Sequence, residues 1–526
     1  MKVLVLDGVE EEGLKALRQE PGIQVDVKDK MSEDELVAAI GDYDGIIVRS
    51  ATKVTARIIE KAARLKVVGR AGVGVDNIDV PAATARGILV VNAPEGNTLA
   101  VAEHTIAMML SLARNIPQAN ASLRAGKWDK KSFMGVELRG KVLGIIGLGR
   151  IGSAVAKRAQ GMEMKVVAYD PYINEEKAGL LGVTLLSLEE LLKQADFITV
   201  HLPLTRESKY MLGEKAFSLM KDGVRIINCA RGGVVDEQAL YNAMKSGKVA
   251  GAALDVFEKE PNTDSPLFEF KNFIATPHLG ASTQEAQLSV ATDVAREVVA
   301  ALKGELVKNA VNIPSVSPKV LAVIKPYLSL AEKMGKFAAQ VICGRVNKIE
   351  ATYSGDLAGQ EVSPLTTAIL KGFLDSILQE MVNFVNAPLL AKKRGINVIQ
   401  RQETEEADYA NLITVKVKSD QEEISVAGTI FGKVDQRIVS IDGYHVDAVP
   451  EGHMLYIPHI DKPRIIGPVG NLIGTHNINI SGMQVGRKVI GGKAVMLLNI
   501  DSPVPEETMA EIAKIDGVLG VKSVSI

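Results

Sequence analysis

The stretch Lys141–Gly152, KVLGIIGLGRIG, constrains this chain more than any other. An apolar run from Val142 to Ile146 enters Gly147-Leu148-Gly149-Arg150-Ile151-Gly152, and Ile151, Ala154, Val155 and Ala159 then recur at helical spacing. That pattern is a strand, a glycine turn and a helix N-terminus. Side chains at the glycines would obstruct a close approach, and the free amides and dipole of a helix start favour an anion such as a pyrophosphate. Because a G-x-G-x-x-G also serves plain helix–strand packing, its surroundings decide. The next run, MKVVAYD, ends in Asp170, where a carboxylate can accept from ribose hydroxyls and repel a 2′-phosphate, which favours NAD over NADP. The alternative, that Asp170 only opens a turn before Pro171, is the weaker reading beside such a motif.

The runs KVLVLD, IQVDV, GIIVRS, LKVVGRAG and ILVVNAP precede the turn, separated by helical candidates such as Thr55 to Ala63. A long helical pattern from Thr98 to Ile116 follows, and then KVLGIIG, MKVVAYD, FITVHLPL, VRIINCAR, AGAALDV and FIATPHL. Runs so continuously apolar are strands covered on both faces, so two parallel-sheet α/β units stand in tandem. From Ser317 to Glu451 helices come first and then the alternating runs LITVKVKS and EISVAGTIFG, an α+β unit. Finally MLYIPHI, the helical set Ile465, Val469, Leu472 and Ile473, INISGMQVG, AVMLLNI, a helix near Glu506 to Ile515 and VKSVSI give β-α-β-β-α-β, the ferredoxin-like plan.

With 526 residues, several domains are expected. No apolar run reaches the ~18–20 residues of a membrane span. Met1 leads directly into KVLVLD, which reads as a first strand and not as a signal peptide. Cys229 and Cys343 are the only cysteines, which suits a reducing compartment and offers no disulfide or metal framework. A soluble, cytoplasmic protein is therefore expected. Its net charge of −2, from 61 basic and 63 acidic residues well mixed, lacks the footprint of a nucleic-acid binder. A small-molecule task remains.

A nicotinamide enzyme needs an acid/base group and a substrate anchor at the carboxyl ends of its strands. VRIINCA delivers Arg231, AGAALDV is followed by Glu258 and Glu260, and FIATP delivers His278. His201 also ends a strand, but HLPLT gives it no charged neighbours. Taken singly, His278 reads as a structural histidine and Arg231 as a surface ion-pair member. Jointly they point to chemistry: histidine titrates near neutrality, Glu260 can hold its ring, and a planar guanidinium suits a bidentate hold on a carboxylate.

GLGRIG, NCARGGVVDE, DVFEKEP and TPHLGAST together resemble the NAD-dependent D-2-hydroxyacid dehydrogenases. VRSATKVT, GRAGVGVDNID and NAPEGNTLAVAEHT are similar to the branch of that family that acts on 3-phospho-D-glycerate, and HIDKPRIIGPVGNLIGTHNINISGMQVGR is similar to an ACT domain. The resemblance implies a flavodoxin-like substrate domain (residues 1–97 and 282–316) with an inserted Rossmann NAD domain (98–281). An α+β intervening domain (317–452) and a ferredoxin-like ACT domain (453–526) would follow. It implies the catalytic set Arg231, Glu260 and His278, with substrate in the cleft against Arg231, the amides near Val73 and Gly74, and Arg49, Ser50 and Asn97. NAD would meet Gly147, Gly149, Arg150, Ile151, Gly152, Asp170, Cys229, Ala230, Arg231, Asp255, His278, Leu279, Gly280 and Ala281, although Asp255 could equally cap a turn. The implied reaction makes 3-phosphohydroxypyruvate at the entry to serine, in a homo-oligomer, dimer or tetramer. In the resembling family paired ACT units bind L-serine, and the matching positions here are His459, Asp461 and Asn479. Arg464 stands where ACT domains commonly carry glycine, and the three residues could instead only satisfy strand ends in a dimerisation module. Two rival functions stay open: a non-catalytic NAD-sensing regulator and a dehydrogenase for another 2-hydroxy acid.

Overall fold

The computed structural model describes residues 1–305, 307–314, 316–403 and 409–526. Its first sheet holds β1 (Lys2–Val5), β2 (Gln24–Val27), β3 (Gly45–Val48), β4 (Val67–Arg70) and β5 (Leu89–Asn92), parallel throughout in the order β2-β1-β3-β4-β5. That order is flavodoxin-like. Alternate residues serve opposite faces. Leu4, Ile46, Val48, Val68 and Val90 pack with Leu36, Ile58 and Ile59 on one side, while Val3, Val5, Ile47, Val67 and Val91 meet Val290, Ala291, Val294 and Val298 of helix Gln284–Leu302 on the other. Both sets are buried, hence the unbroken apolar runs.

The second sheet is also parallel and comprises β6 (Val142–Ile146), β7 (Lys165–Tyr169), β8 (Thr184–Leu185), β9 (Phe197–Val200), β10 (Val224–Asn228), β11 (Val249–Leu254) and β12 (Phe273–Ala275). Its order, β12-β11-β10-β9-β6-β7-β8, reverses direction between β6 and β9, and the glycine turn leaves β6 at that switch point. A crossover helix, Thr98–Arg114, leads from the first sheet and packs on the second through Val101, Met108, Met109 and Leu112. The helix expected from Thr98 to Ile116 ends two residues earlier, because Asn115 turns left-handed (φ 53°) ahead of Pro117. A second helix, Ile116–Arg124, buries none of its residues.

The third unit carries β13 (Val346–Gly355), β14 (Asn397–Glu403), β15 (Asn411–Ser419), β16 (Glu423–Phe431), β17 (Asp435–Ile441) and β18 (Tyr444–Ala448), ordered β14-β13-β15-β16-β17-β18. Helices Pro318–Val341 and Ser363–Asp375 supply its core with Leu330, Met334, Phe337, Ile369 and Phe373. The expected order of helices first and strands later is corrected by β13, which lies inside the sheet beside parallel β14 and antiparallel β15. Charge hides this strand in the sequence: Glu350 is nearly buried, with Lys348 at 2.6 Å and Arg401 at 3.0 Å. The last unit is ferredoxin-like, with β19 (His453–Ile460), β20 (Ile480–Arg487), β21 (Lys493–Ile500) and β22 (Lys522–Ser525) in the order β20-β21-β19-β22 and helices Ile466–Thr475 and Glu506–Ala513.

Candidate active site

Helix Arg150–Gly161 begins immediately after Gly149. Gly147 has φ 95°, which favours glycine, and a Cβ on Gly152 would stand 2.1 Å from the Gly147 carbonyl oxygen. A Cβ on Gly149 would meet no atom within 4 Å, so this glycine keeps open the space over the helix N-terminus instead of filling a packing need. Asp170 follows β7. Its Oδ2 accepts from the Leu148 amide (2.8 Å) and its Oδ1 from the Tyr172 amide (2.9 Å), so the carboxylate fixes both the glycine turn and the turn after β7. Open amides at a helix start, with a carboxylate at the end of the neighbouring strand, fit NAD.

His278 leaves β12 in a left-handed conformation (φ 56°), and its Nδ1 lies 2.8 Å from Glu260 Oε2. Glu260 Oε1 accepts from the Phe257 amide at 3.0 Å. Burial alone would raise the Glu260 carboxyl, but the His278 and Phe257 hydrogen bonds outweigh it and hold the group below its ordinary range. Asp255 is wholly buried and spends its carboxylate on the same turn. Oδ1 accepts from the Leu279 amide (2.7 Å) and the Thr276 hydroxyl (2.5 Å), Oδ2 from the Gly280 amide (2.8 Å), and the Asp255 carbonyl accepts from the His278 amide (2.9 Å). Burial opposes that charge, and these bonds together with His104 keep the carboxyl below its ordinary value. Beside it, burial and then the Asp255 charge push the Cys229 thiol up to about 12. His201 stays apart from the pair: burial pushes its imidazole down to about 4, and its Nε2 meets the Thr199 hydroxyl at 3.1 Å.

Arg231 reaches from β10 toward the first sheet. Its Nε donates to Asp76 Oδ2 at 2.9 Å and its Nη1 to the Ala230 carbonyl at 2.7 Å, while a Cβ on Gly74 would lie 1.9 Å from Nη2. The guanidinium therefore rests on the Gly74 backbone. Val73 is fixed through its carbonyl, which accepts from Asn92 Nδ2 at 2.6 Å. The Arg49 loop is tied down by Asp7, which accepts from the Arg49 and Thr52 amides at 2.9 and 3.0 Å. Ser50 is exposed next to Arg49, and Asn97 is buried at the head of the crossover helix with its Oδ1 unpartnered among the described residues. Sequence reasoning missed Arg70, at the carboxyl end of β4. Burial, followed by the nearby charges of Arg231 and Arg49, pushes it down to about 10, and its buried Nε has no partner among the described residues. Its signal was positional: GRAG ends a strand, as Arg231 and His278 do.

The three proposed effector residues are each engaged within the chain. His459 is buried with Nδ1 3.2 Å from the Ile457 carbonyl, Asn479 donates to Asp501 at 3.0 Å, and Asp461 holds Arg487 at 3.1 Å and the Gly491 amide at 3.3 Å. His459 is 2% exposed, and Asp461 is turned to the β20–β21 hairpin.

A doubly wound sheet with this glycine turn, whose other strand ends deliver an imidazole–carboxylate pair and an arginine, defines an NAD-dependent D-2-hydroxyacid dehydrogenase. Residues 106–280 match the family model of the D-isomer specific 2-hydroxyacid dehydrogenase NAD binding domain, and residues 323–442 match that of the D-3-phosphoglycerate dehydrogenase intervening domain. The D-3-phosphoglycerate dehydrogenases of Methanocaldococcus jannaschii and Archaeoglobus fulgidus are each 49% identical over 100% of both chains, and that of Bacillus subtilis is 45% identical over 100% of this chain and 99% of its own. Among solved structures, D-lactate dehydrogenase from Aquifex aeolicus, complexed with NAD and lactic acid, is similar with a TM-score of 0.53 and 34% identity, covering 60% of this chain and 100% of that one. The chain belongs to the D-3-phosphoglycerate dehydrogenase family. No helix among the described residues is long and apolar enough to cross a membrane.

Proposed function

We propose that the enzyme oxidises 3-phospho-D-glycerate to 3-phosphohydroxypyruvate, the entry step to L-serine. The observation that carries this reading is the convergence of Arg49, Arg70 and Arg231 on one corner of the cleft, which suits a substrate with an anion at each end. Arg231 and the amides of Val73 and Gly74 hold the carboxylate, and Arg49, Arg70, Ser50 and Asn97 receive the phosphate end. Glu260 holds Nδ1 of His278, which leaves Nε2 to take the C2 hydroxyl proton and return it in the reverse direction. Bound NAD supplies the acceptor for the C2 hydride. The residues that would hold it are Gly147, Gly149, Arg150, Ile151 and Gly152, Asp170, Cys229, Ala230, Asp255 and residues 278–281. NADH production by the purified protein from 3-phosphoglycerate and from D-lactate tests the reading. Equal specificity constants would overturn the phosphate assignment, and no turnover with either would favour the regulator.

A homo-oligomer is supported by Leu99, Ile116, Leu123, Trp128 and Met134, between 51% and 84% exposed on the crossover helix, the next helix and the loop after it, which a second copy would cover. The ferredoxin-like unit serves as an ACT domain for L-serine at His459, Asp461 and Asn479. Two free cysteines, Cys229 and Cys343, suit the cytoplasm.

A further inference from the structure

We infer that His104, on the crossover helix, is a positioning residue for the acid/base histidine: its Nε2–H braces Asp255 and Thr276, and through them the turn that presents His278 to Glu260. The inference rests on reading His278 and Glu260 as the acid/base pair.

Hydrogen-bond logic fixes the proton. His104 Nε2 lies 3.1 Å from Thr276 Oγ1 and 3.3 Å from Asp255 Oδ1. The Thr276 hydroxyl has one proton and stands 2.5 Å from Asp255 Oδ1, an ionised oxygen that can only accept, so the hydroxyl donates there. It therefore offers His104 a lone pair, and Nε2 must carry a hydrogen whatever the state of Nδ1. That N–H is shared between the Thr276 and Asp255 oxygens.

The two oxygens control the catalytic turn. Asp255 is anchored by its own amide to the Asn228 carbonyl at 2.9 Å, and it gathers the amides of His278, Leu279 and Gly280. His278 occupies a left-handed conformation (φ 56°), which a non-glycine residue keeps only when its surroundings over-determine it. His104 adds the nitrogen donor that the helix joining the two parallel-sheet units gives this turn, beside the Met108 sulfur 3.9 Å from the Thr276 hydroxyl. The same helix starts at Asn97, beside the first sheet, so the brace also fixes the catalytic turn relative to the substrate side of the cleft. Its neighbours on that face, Val101 and Met108, are apolar, and packing alone would be served by leucine.

Steady-state kinetics with NAD and 3-phosphoglycerate on the full-length chain tests this, comparing the parent with His104→Leu and His104→Gln. Leucine keeps the bulk and loses the donor; glutamine places an N–H near the position of Nε2. In His104→Leu, kcat should fall about 10- to 100-fold, the scale of a misplaced catalytic group. KM for the substrate and the NADH dissociation constant should stay within about twofold, and His104→Gln should recover most of kcat. A leucine variant within about twofold of the parent in kcat would overturn the inference, as would a glutamine variant as slow as leucine. If thermal unfolding shows the leucine variant misfolded, His104→Asn, whose amide is too short to reach Asp255, takes its place against glutamine. His278→Ala separates the two claims. Retained turnover there removes the acid/base assignment, whereas loss there with a normal His104→Leu removes only this inference.

Discussion

His278 has two constraints: a left-handed backbone held by Asp255 and a ring held by Glu260 at 2.8 Å. Removing either constraint has a direction. Replacing His278 with alanine should leave NAD binding nearly intact and reduce turnover by about 10²-fold or more, the scale of lost acid/base catalysis. In Glu260→Gln the anion beside the ring is gone, so the acid limb of kcat/KM for oxidation should move to lower pH while the plateau falls. Stability gives a second reading of the same variant. The folded-state pKa of Glu260 is depressed below its ordinary 4.5, so its carboxylate stabilises the fold above that value, and the contribution is lost as pH falls through the folded pKa. The Tm gap between parent and Glu260→Gln should therefore be open near neutrality and close in acid; a gap independent of pH would contradict the assignment. Of this site, the residues delivered by strand ends were legible in the sequence, Arg231, Glu260 and His278 among them. Arg70 was not: it also ends a strand, but nothing in the run LKVVGRAG marks its arginine for a site. Nor was the depth of Asp255, since one carboxylate in DVFEKEP looks like any other until its amide partners, twenty-odd residues on, fold over it.

The glycine turn makes a sharper element-scale claim, because its glycines have different reasons. Gly152 is there for the fold, with the Gly147 carbonyl 2.1 Å from where its Cβ would be, whereas Gly149, with nothing near its Cβ, leaves open the space that the proposed ligand would use. Gly152→Ala should lower Tm through overpacking, at a cost of about 1–3 kcal/mol. Gly149→Ala should leave Tm alone and weaken NADH by about tenfold or more, some 1.4 kcal/mol. Fluorescence titration and thermal unfolding of both variants check the pair, and equal Tm losses would show the turn to be packing only. Elements buried on both sides were legible for a related reason: β3 and β6 hold only apolar residues and glycine, and β1 and β9 one polar residue each, which no surface pattern produces. The third unit was harder to read. β13 carries Lys348 and Glu350, whose charges are satisfied by each other and by Arg401, so its polarity signals surface where there is sheet interior. The end of the crossover helix depends on a left-handed Asn115, a backbone choice that propensity does not dictate.

At the scale of the whole molecule, the third and fourth units share one apolar core, where Met334 and Phe337 pack with Met454, Tyr456, Leu497 and Val524, whereas polar contacts link the other units. Arg231 pairs with Asp76, and Arg150 with Glu95 at 3.7 Å, between the two parallel-sheet units; Asn383 Nδ2 donates to the Gly87 carbonyl at 2.8 Å, between the third unit and the first. Units joined in this way can shift relative to one another, and an effector on the last unit acts on the cleft only by its differential affinity for two such arrangements. Arg464 keeps φ 68°, the conformation that would suit glycine, so its loop has the backbone path without the glycine. The candidate ammonium site, Asp461, already holds a cation, Arg487 at 3.1 Å. An incoming amino acid must displace that guanidinium, and an exposed pair is weak, so competition should weaken serine by no more than about fivefold. Calorimetry with L-serine should therefore show binding to the parent, somewhat tighter binding to Arg487→Met, and none to Asp461→Ala. The order of the three decides the matter: heat in Asp461→Ala would move the ammonium elsewhere, and silence in both the parent and Arg487→Met would leave the last unit a dimerisation module.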